Sequence, residues 1–276
     1  MVKFERYLSK EMVEALGKLS QSSRGATNWW QDVLASKDLH LGVRAGYLNV
    51  YAQGQSVFKI GSSNSSGLDE EGKPRVELHY KYLLKPSLPA EKEYVRFDGN
   101  EFYMRRKEFD PAKIVQTKFT PSETVKELAA SARRYSGQEK QGVHEISQKN
   151  PSVVDLEIAF TKTDEEGKKS APRMDLAALH NSDGKISVRF YEAKMASDSR
   201  LRQNSKGEPE IVDQMKKYDH FLYFCRRERS PSQGGTAGTT ASINLGSEIP
   251  PTMRRLGSAH PFIPGNSGVG LPQLAL

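Results

Sequence analysis

The sequence contains a single cysteine, Cys225, and no apolar stretch long enough to cross a membrane. One cysteine excludes an internal disulfide and a cysteine-cluster zinc site, and it fits a reducing compartment. A spanning helix needs about 18 or more apolar residues in succession, so no membrane partner is expected. The first twelve residues, MVKFERYLSKEM, also lack the apolar core of a signal peptide. We therefore expect a cytoplasmic protein, in which Cys225 packs on a helix beside Phe221, Leu222 and Phe224.

The sequence also lacks the GxxxxGK[ST] loop that cradles nucleotide phosphates, which argues against an ATPase. No His/Cys set has the spacing of metal ligands, and His144 is interpreted as a helix-surface residue. Basic residues outnumber acidic residues by 41 to 34, which gives a formal net charge of +7. A basic balance favours polyanionic partners, chiefly nucleic acid.

Residues 1–115 are predicted to form a small, strand-rich α+β module. Ser9 is a suitable cap for a first helix with Met12, Val13, Leu16 and Leu19 on its apolar face. Alternating apolar residues predict strands at 39–51, 56–60, 76–84, 94–97 and 101–104. Gln53-Gly54-Gln55 indicates a hairpin between the first two of these segments.

Residues 120–229 have the order helix, three strands, helix, which predicts an α/β domain. Pro121 opens a long helical pattern that Gly137 and Gly142 interrupt. Strands are predicted at 153–160, 173–179 and 186–194, with a hairpin turn at 181–184, and the last helix covers 210–229. Residues 230–276 contain one acidic residue and no lysine, show no periodicity, and are predicted to be a disordered tail.

Two carboxylates and one ammonium group are predicted to meet on the second module. Glu192 and Lys194 are separated by Ala193 alone, and alternate residues of a strand share a face. The predicted hairpin brings Asp175 alongside them. Two carboxylates can hold Mg²⁺, which prefers oxygen ligands and retains several waters. A surface salt bridge would also explain Glu192 and Lys194, although unpaired charges are costly on a strand with apolar neighbours such as Phe190.

This order of residues resembles the PD-(D/E)XK, or restriction-endonuclease-like, nuclease superfamily. The matching residues are Asp175, the Glu192-Ala193-Lys194 triplet after a hairpin, and Gln214 and Tyr218 in the pattern of the QxxxY motif of the RecB-like branch. A glutamine and a tyrosine at i and i+4 share one helix face. The resemblance covers about residues 122 to 229, with Met174 where the motif has proline. Cores of this type usually add another strand beside the last helix, where this sequence enters the tail.

The resemblance implies a core of a helix, a three-stranded mixed sheet and a helix, and Mg²⁺-dependent phosphodiester hydrolysis. It implies DNA as the substrate and Mn²⁺ as an alternative ion. The resemblance assigns metal binding to Asp175, Glu192 and the Ala193 carbonyl group. Lys194 would position the attacking water, and Gln214 and Tyr218 would support the substrate.

The upstream helix of this superfamily often contributes a further glutamate. Glu139 is the better candidate, because it lies on an otherwise apolar stripe, and Glu145 is the alternative. A solvated glutamate at a helix edge explains either residue equally well.

Several other residues have ordinary structural explanations beside a functional one. Asp155 and Glu157 fit a half-buried strand, and Arg173 and Arg200 fit either a phosphate contact or a basic surface. The N-terminal aromatics fit a core better than a base-stacking surface; they are Trp29, Trp30, Tyr47, Tyr51, Tyr80 and Tyr82. The alternative to a nuclease is a non-catalytic nucleic-acid-binding or interaction protein that retains a degenerate nuclease fold.

Overall fold

The computed structural model describes residues 2–3, 6–21, 27–61, 67–89, 92–104, 108–159, 161–163, 169–170, 173–203, 207–227 and 274–275. The helices are α1 (Lys10–Gln21), α2 (Trp29–Ala35), α3 (Thr124–Arg134), α4 (Gln138–Lys149) and α5 (Glu210–Arg227). The strands are β1 (Val2–Lys3), β2 (His40–Val43), β3 (Leu48–Ala52), β4 (Gln55–Ile60), β5 (Val76–His79), β6 (Tyr94–Phe97), β7 (Phe102–Tyr103), β8 (Val153–Ala159), β9 (Thr161–Thr163), β10 (Lys169–Ser170), β11 (Arg173–Ser182), β12 (Lys185–Tyr191), β13 (Lys194–Met195) and β14 (Leu274–Ala275). The chain is thus a mixed α/β protein with antiparallel sheets.

The chain divides into two compact units, and the division falls inside α4. The N-terminal unit contains residues 5–144, and the C-terminal unit contains residues 1–4 and 145–276. The sequence predicted a boundary between residues 115 and 120. The difference arises because the apolar face of α3, including Val125, Leu128 and Ala132, packs into the N-terminal core.

The N-terminal unit is built on a six-stranded antiparallel sheet in the order β2-β3-β4-β5-β6-β7. One face of the sheet packs against α1, α2 and α3 through a continuous apolar core. Trp29 and Trp30 lie in this core and are 5% and 1% exposed, and Tyr51, Tyr80 and Tyr82 are buried as well. The prediction that these aromatics pack rather than stack on bases is confirmed for these five residues. With this sheet the N-terminal unit is not the smaller module that the sequence suggested.

Two segments of this unit that were each predicted as one strand form two elements in the structure. The segment 39–51 turns at Gly46, whose φ of +82° permits the hairpin between β2 and β3. The segment 76–84 ends its strand at His79 and continues as a 3₁₀ turn at Tyr80–Tyr82. Apolar alternation did not reveal the second break, since Tyr80, Tyr82 and Leu83 are buried beyond the end of the strand. The predicted hairpin at Gln53 and Gly54 is confirmed between β3 and β4.

Local capping explains the short helices of the N-terminal unit. The backbone amide of Met12 donates to Ser9 Oγ at 3.2 Å, which confirms the predicted cap of α1. Helix α2 was not predicted, although Asn28 and Gln31 form a reciprocal capping box at its start. The long helix predicted from Pro121 is two helices, α3 and α4, and the break lies at residues 135–137, which include Gly137.

The C-terminal unit contains a three-stranded sheet in the order β12-β11-β8, and both pairings are antiparallel. The expected mixed sheet is therefore wrong: β12 follows β11 through a tight turn, and β11 also runs antiparallel to β8, from which β9 and β10 separate it in sequence. The β11–β12 turn at Asp183 and Gly184 has φ values of 52° and 76°, as expected for a tight hairpin. Helix α5 packs on this sheet through a small core that includes Met174, Ala177 and Tyr218, with Leu222 half-buried against it.

Short strands complete the C-terminal unit. Strand β9 lies between β1 and β10, and β13 pairs antiparallel with β14, whose residues Leu274–Ala275 belong to the segment predicted as a tail. The remainder of that predicted tail, 230–273 and 276, lies outside the described residues, as do residue 160 and the side chain of Cys225. Among the helices that the structure describes, none combines the length and apolarity needed to span a bilayer.

Candidate active site

The centre of the candidate site is a buried ion pair between Lys194 and Glu192. Strand β12 ends at Tyr191 and β13 begins at Lys194, so the two residues are not on one continuous strand, as the sequence suggested. They nevertheless meet, and Lys194 Nζ donates to Glu192 Oε1. Lys194 Nζ also donates to the Ala193 carbonyl oxygen at 3.0 Å. The Lys194 and Glu192 side chains are only 3% and 6% exposed, so the pair is largely withdrawn from water.

Asp175 lies beside this pair as the hairpin predicts. The β11–β12 register pairs Leu176 with Tyr191, so the next position along each strand places Asp175 opposite Glu192. Asp175 Oδ2 accepts a hydrogen bond from the Ala193 backbone amide at 2.8 Å. This bond anchors the segment between β12 and β13 to β11 and holds the two acidic residues at one end of the sheet.

Helix α5 contributes Gln214 and Tyr218 to the same carboxylate. The Gln214 amide donates to Glu192 Oε1 and to the Tyr218 hydroxyl oxygen, both at 2.6 Å. The Tyr218 hydroxyl lies 2.7 Å from the Arg173 carbonyl oxygen and 3.1 Å from Glu192 Oε2. Both α5 side chains therefore point toward Glu192, whereas Lys216 and Lys217 on the same helix are exposed.

Tyr218 acts in this network as a neutral hydrogen-bond donor. Burial raises the pKa of Tyr218 to about 12, and the Glu192 charge adds to this effect, whereas the hydrogen bond from Gln214 opposes it. Ionisation of the phenol would place a second negative charge beside Glu192. Tyr218 is therefore suited to orienting Glu192 and not to acting as a base near neutral pH.

Two residues of the neighbouring strand border the site. Glu157 on β8 adopts a φ of +53°, which is uncommon outside glycine, and its carboxylate pairs with Arg173 at 3.1 Å. The Arg173 side chain is 60% exposed, so a phosphate contact by this residue remains a prediction. Asp155 is buried and accepts a hydrogen bond from the next backbone amide at 2.8 Å, which supports its structural interpretation. The Arg173 carbonyl as the partner of Tyr218 could not be predicted, because no side-chain pattern marks a backbone acceptor.

The glutamates predicted on the upstream helix fall on either side of the division between the units. Glu139 is half-buried in the first turn of α4, within the N-terminal unit. Glu145 belongs to the C-terminal unit and lies 3.8 Å from Lys149 in an i,i+4 pair. A role for either glutamate in the site stays a prediction.

The oxygen groups of Asp175, Glu192 and Ala193 are chemically suited to a hard divalent cation. Within the described ranges, no group of three or more His, Cys, Asp or Glu side chains is arranged to hold a metal ion. Two carboxylates and a carbonyl group still fit Mg²⁺, which is commonly held by one or two carboxylates together with water and phosphate oxygens. Glu192 already receives hydrogen bonds from Lys194, Gln214 and Tyr218, so a cation would compete with Lys194 for its oxygens.

Comparisons with known proteins give this chain no family assignment. A scan of protein-family models, a search of curated proteins and a search of solved structures each returned no match. Function is therefore argued from the chemistry of the side chains described above.

Proposed function

We propose that the C-terminal unit is a Mg²⁺-dependent nuclease that hydrolyses phosphodiester bonds of nucleic acid, with DNA as the expected substrate and the cytoplasm as its place of action. The observation that carries the proposal is the convergence of Asp175, Glu192, Lys194, Gln214 and Tyr218. These residues come from β11, from the segment between β12 and β13, from β13 itself and from α5. The resemblance to the PD-(D/E)XK superfamily rests on the same residues and supports the same chemistry.

The carboxylates have the first role in this proposal. Asp175, Glu192 and the Ala193 carbonyl group would hold the ion, which would supply a polarised phosphate and a bound water of lowered pKa. Gln214 and Tyr218 fix the orientation of Glu192 through hydrogen bonds to both of its oxygens. A carboxylate that is already oriented needs little reorganisation when it takes up a cation.

Lys194 has the second role. Its ammonium group is the cationic donor closest to the Glu192 carboxylate, and a phosphate bound at this place would bring negative charge to it. The ammonium group would then move from Glu192 toward the phosphate, where it would position the attacking water and stabilise the developing charge. A neutral residue of similar size could not replace it.

One observation favours a second candidate, a nucleic-acid-binding or interaction protein without catalysis. The Glu192 carboxylate has three protein donors and the Lys194 ammonium group has two protein acceptors, so the cluster is satisfied without a metal ion. Such a closed network can serve stability and a unique packing alone.

A cleavage assay separates the two candidates. Purified protein is incubated with plasmid, linear duplex, single-stranded DNA and RNA, in Mg²⁺ and in EDTA. The nuclease proposal expects Mg²⁺-dependent cleavage by the wild type and by Asp183→Asn, and none by Asp175→Asn. Asp183 is a suitable control because it is an exposed turn residue at the far end of β11. Cleavage by Asp175→Asn at the wild-type rate, or an inactive wild type that binds Mg²⁺, would favour the non-catalytic candidate.

A further inference from the structure

The six-stranded sheet of the N-terminal unit has an outward face of aromatic and basic residues. Along β4 to β7, the inward positions are buried apolar residues such as Phe58, Leu78 and Val95. The alternate positions carry the outward residues, which we call the aromatic–basic face: Lys59, Glu77, His79, Tyr94, Arg96 and Tyr103. Their register is continuous, because Lys59 pairs with Glu77, Glu77 with Arg96 and Arg96 with Tyr103.

Two tyrosine rings of this face are exposed to an unusual degree. Tyr94 is 53% exposed and Tyr103 is 43% exposed, whereas the other tyrosines of the sheet face the core or are covered. Tyr94 lies two residues from Arg96, the cross-strand partner of Tyr103, so the two rings are diagonal neighbours. Diagonal neighbours lie about 7–8 Å apart, with their Cβ atoms somewhat closer than that. The sheet therefore carries two exposed tyrosines at neighbouring positions of one face.

A lysine and a histidine lie against the Tyr94 ring. Lys59 Nζ lies 5.2 Å from the centre of that ring, and the His79 ring lies 5.2 Å away on the cross-strand position. Burial lowers the pKa of His79, and the charges of Lys81 and Lys59 lower it further, so two lysines approach this histidine. An anionic ligand at this place would find the Lys59 ammonium group beside an exposed aromatic ring, with Lys81 close enough for its charge to act on His79.

Lys81 extends the basic region toward α4. Its Nζ lies 4.9 Å and 4.8 Å from the centres of the Tyr82 and Tyr135 rings, which fix its position. Burial lowers the pKa of Lys81, and the positive charge of Lys140 lowers it further. Like charges that influence each other in this way repel, and a phosphate group bound near Lys81 would reduce the repulsion.

The charge is not uniform over the whole face. Arg96 is paired with Glu77 at 3.6 Å, and at the Tyr103 end the carboxylates of Asp69 and Asp98 lie near the ring together with Arg75. The electropositive part is thus the Tyr94 end, with Lys59 and Lys81. The expected contacts are phosphates at the Tyr94 end and a stacked base at each tyrosine.

We propose that the aromatic–basic face binds single-stranded nucleic acid, with bases stacked on Tyr94 and Tyr103 and phosphates held by Lys59 and Lys81. Stacking on a protein ring requires a base whose own face is exposed, which a duplex does not offer. The proposal goes beyond the proposed function, since the C-terminal unit alone would not specify a single strand. Binding at this face does not depend on cleavage, so each proposal can fail by itself.

The test is binding of a labelled oligothymidylate to the full chain in EDTA, followed by fluorescence anisotropy. Tyr94→Leu should weaken binding by about tenfold, since each stacked base contributes about 1–3 kcal/mol. Tyr94→Phe keeps the ring and should bind as the wild type does. Tyr7→Leu is the matched control, because Tyr7 is 54% exposed in the same unit but lies outside the face. Thermal unfolding of every variant separates lost binding from lost folding.

A second arm tests the phosphate contacts. Lys59→Gln and Lys81→Gln should each reduce the slope of log affinity against log salt by about 0.7, whereas Lys10→Gln, on the exposed surface of α1, should leave it unchanged. Equal binding by Tyr94→Leu and the wild type, tighter binding to duplex than to the single strand, or no binding by the wild type would each overturn the proposal. If the wild type binds oligothymidylate but shows no Mg²⁺-dependent cleavage, only the nuclease proposal is overturned.

Discussion

The Lys194 ammonium group lies against the Glu192 carboxylate, with 3% and 6% of the two side chains exposed. The same ammonium group donates to the Ala193 carbonyl oxygen at 3.0 Å. The oxygens that we propose for a metal ion thus already hold a cation of the chain itself. Mg²⁺ and the Lys194 ammonium group would therefore compete for these oxygens.

Lys194→Met should abolish cleavage and raise the affinity for Mg²⁺, because the competing charge is gone. It should also lower the free energy of unfolding by about 3 kcal/mol in EDTA, since it leaves a buried carboxylate without its cation. Saturating Mg²⁺ should restore part of this loss. Titration calorimetry and urea unfolding with and without Mg²⁺ measure these effects. Lys217→Met, an exposed lysine on α5, is the control, and Mg²⁺ affinity below that of the wild type in Lys194→Met would contradict the competition.

Asp175→Asn and Glu192→Gln should each reduce cleavage by about a thousandfold or more, since a bound metal supplies several kcal/mol of charge stabilisation. The double variant should be little worse than either single variant, because the two carboxylates act as one unit. Asp175→Asn keeps an oxygen acceptor for the Ala193 amide and should fold nearly as stably as the wild type. Single-turnover cleavage at saturating Mg²⁺ gives the rates. Additive losses in the double variant would show that the two groups work independently.

Tyr218→Phe should lower the free energy of unfolding at neutral pH by about 1–2 kcal/mol, because the Arg173 carbonyl oxygen and the Glu192 carboxylate lose the single hydroxyl proton that they share. The pKa of Tyr218 is raised from 10.0 to about 12, so above pH 10 the unfolded chain loses a proton that the folded chain retains. Stability supplied by this group is therefore present below about pH 10 and is lost as the pH rises toward about 12. The loss between these pH values should be smaller in Tyr218→Phe. Urea unfolding across this range measures it, and an identical loss in both proteins would exclude Tyr218 as its source.

Gly54→Ala should destabilise the N-terminal unit more than Gly72→Ala does. Both glycines have a positive φ, 69° and 75°, so each alanine carries about 1–2 kcal/mol of backbone strain. A Cβ on Gly54 would also lie 2.7 Å from Lys140 Cβ and 2.8 Å from the Lys140 carbonyl oxygen, whereas a Cβ on Gly72 meets nothing within 4 Å. Thermal unfolding of the two variants gives the comparison. Equal midpoints would show that the Gly54 hairpin can move away from α4.

The elements that carry the site were predictable where local chemistry is strong. The Asp183-Gly184 turn, the strands on either side of it and the i,i+4 spacing of Gln214 and Tyr218 follow from turn preference and periodicity. The interruption at Glu192 and Ala193 was not predictable, because it depends on the hydrogen bond from Ala193 to Asp175, eighteen residues away. The assignment of α3 to the N-terminal core likewise depends on which apolar surface lies opposite it. A periodic pattern shows that a helix has an apolar face and does not show which surface covers it.

The Tyr218 hydroxyl connects segments that are 45 residues apart in sequence, since it meets the Arg173 carbonyl as well as Glu192. Two of the three donors to Glu192 belong to α5, so the carboxylate is held in place only after that helix has docked on the sheet. A chain still growing on the ribosome has Asp175 and Glu192 exposed before Gln214 and Tyr218 have been made. Synthesis order thus delays assembly of this cluster until α5 has been made, so under the proposed function an unfinished chain would lack the complete centre.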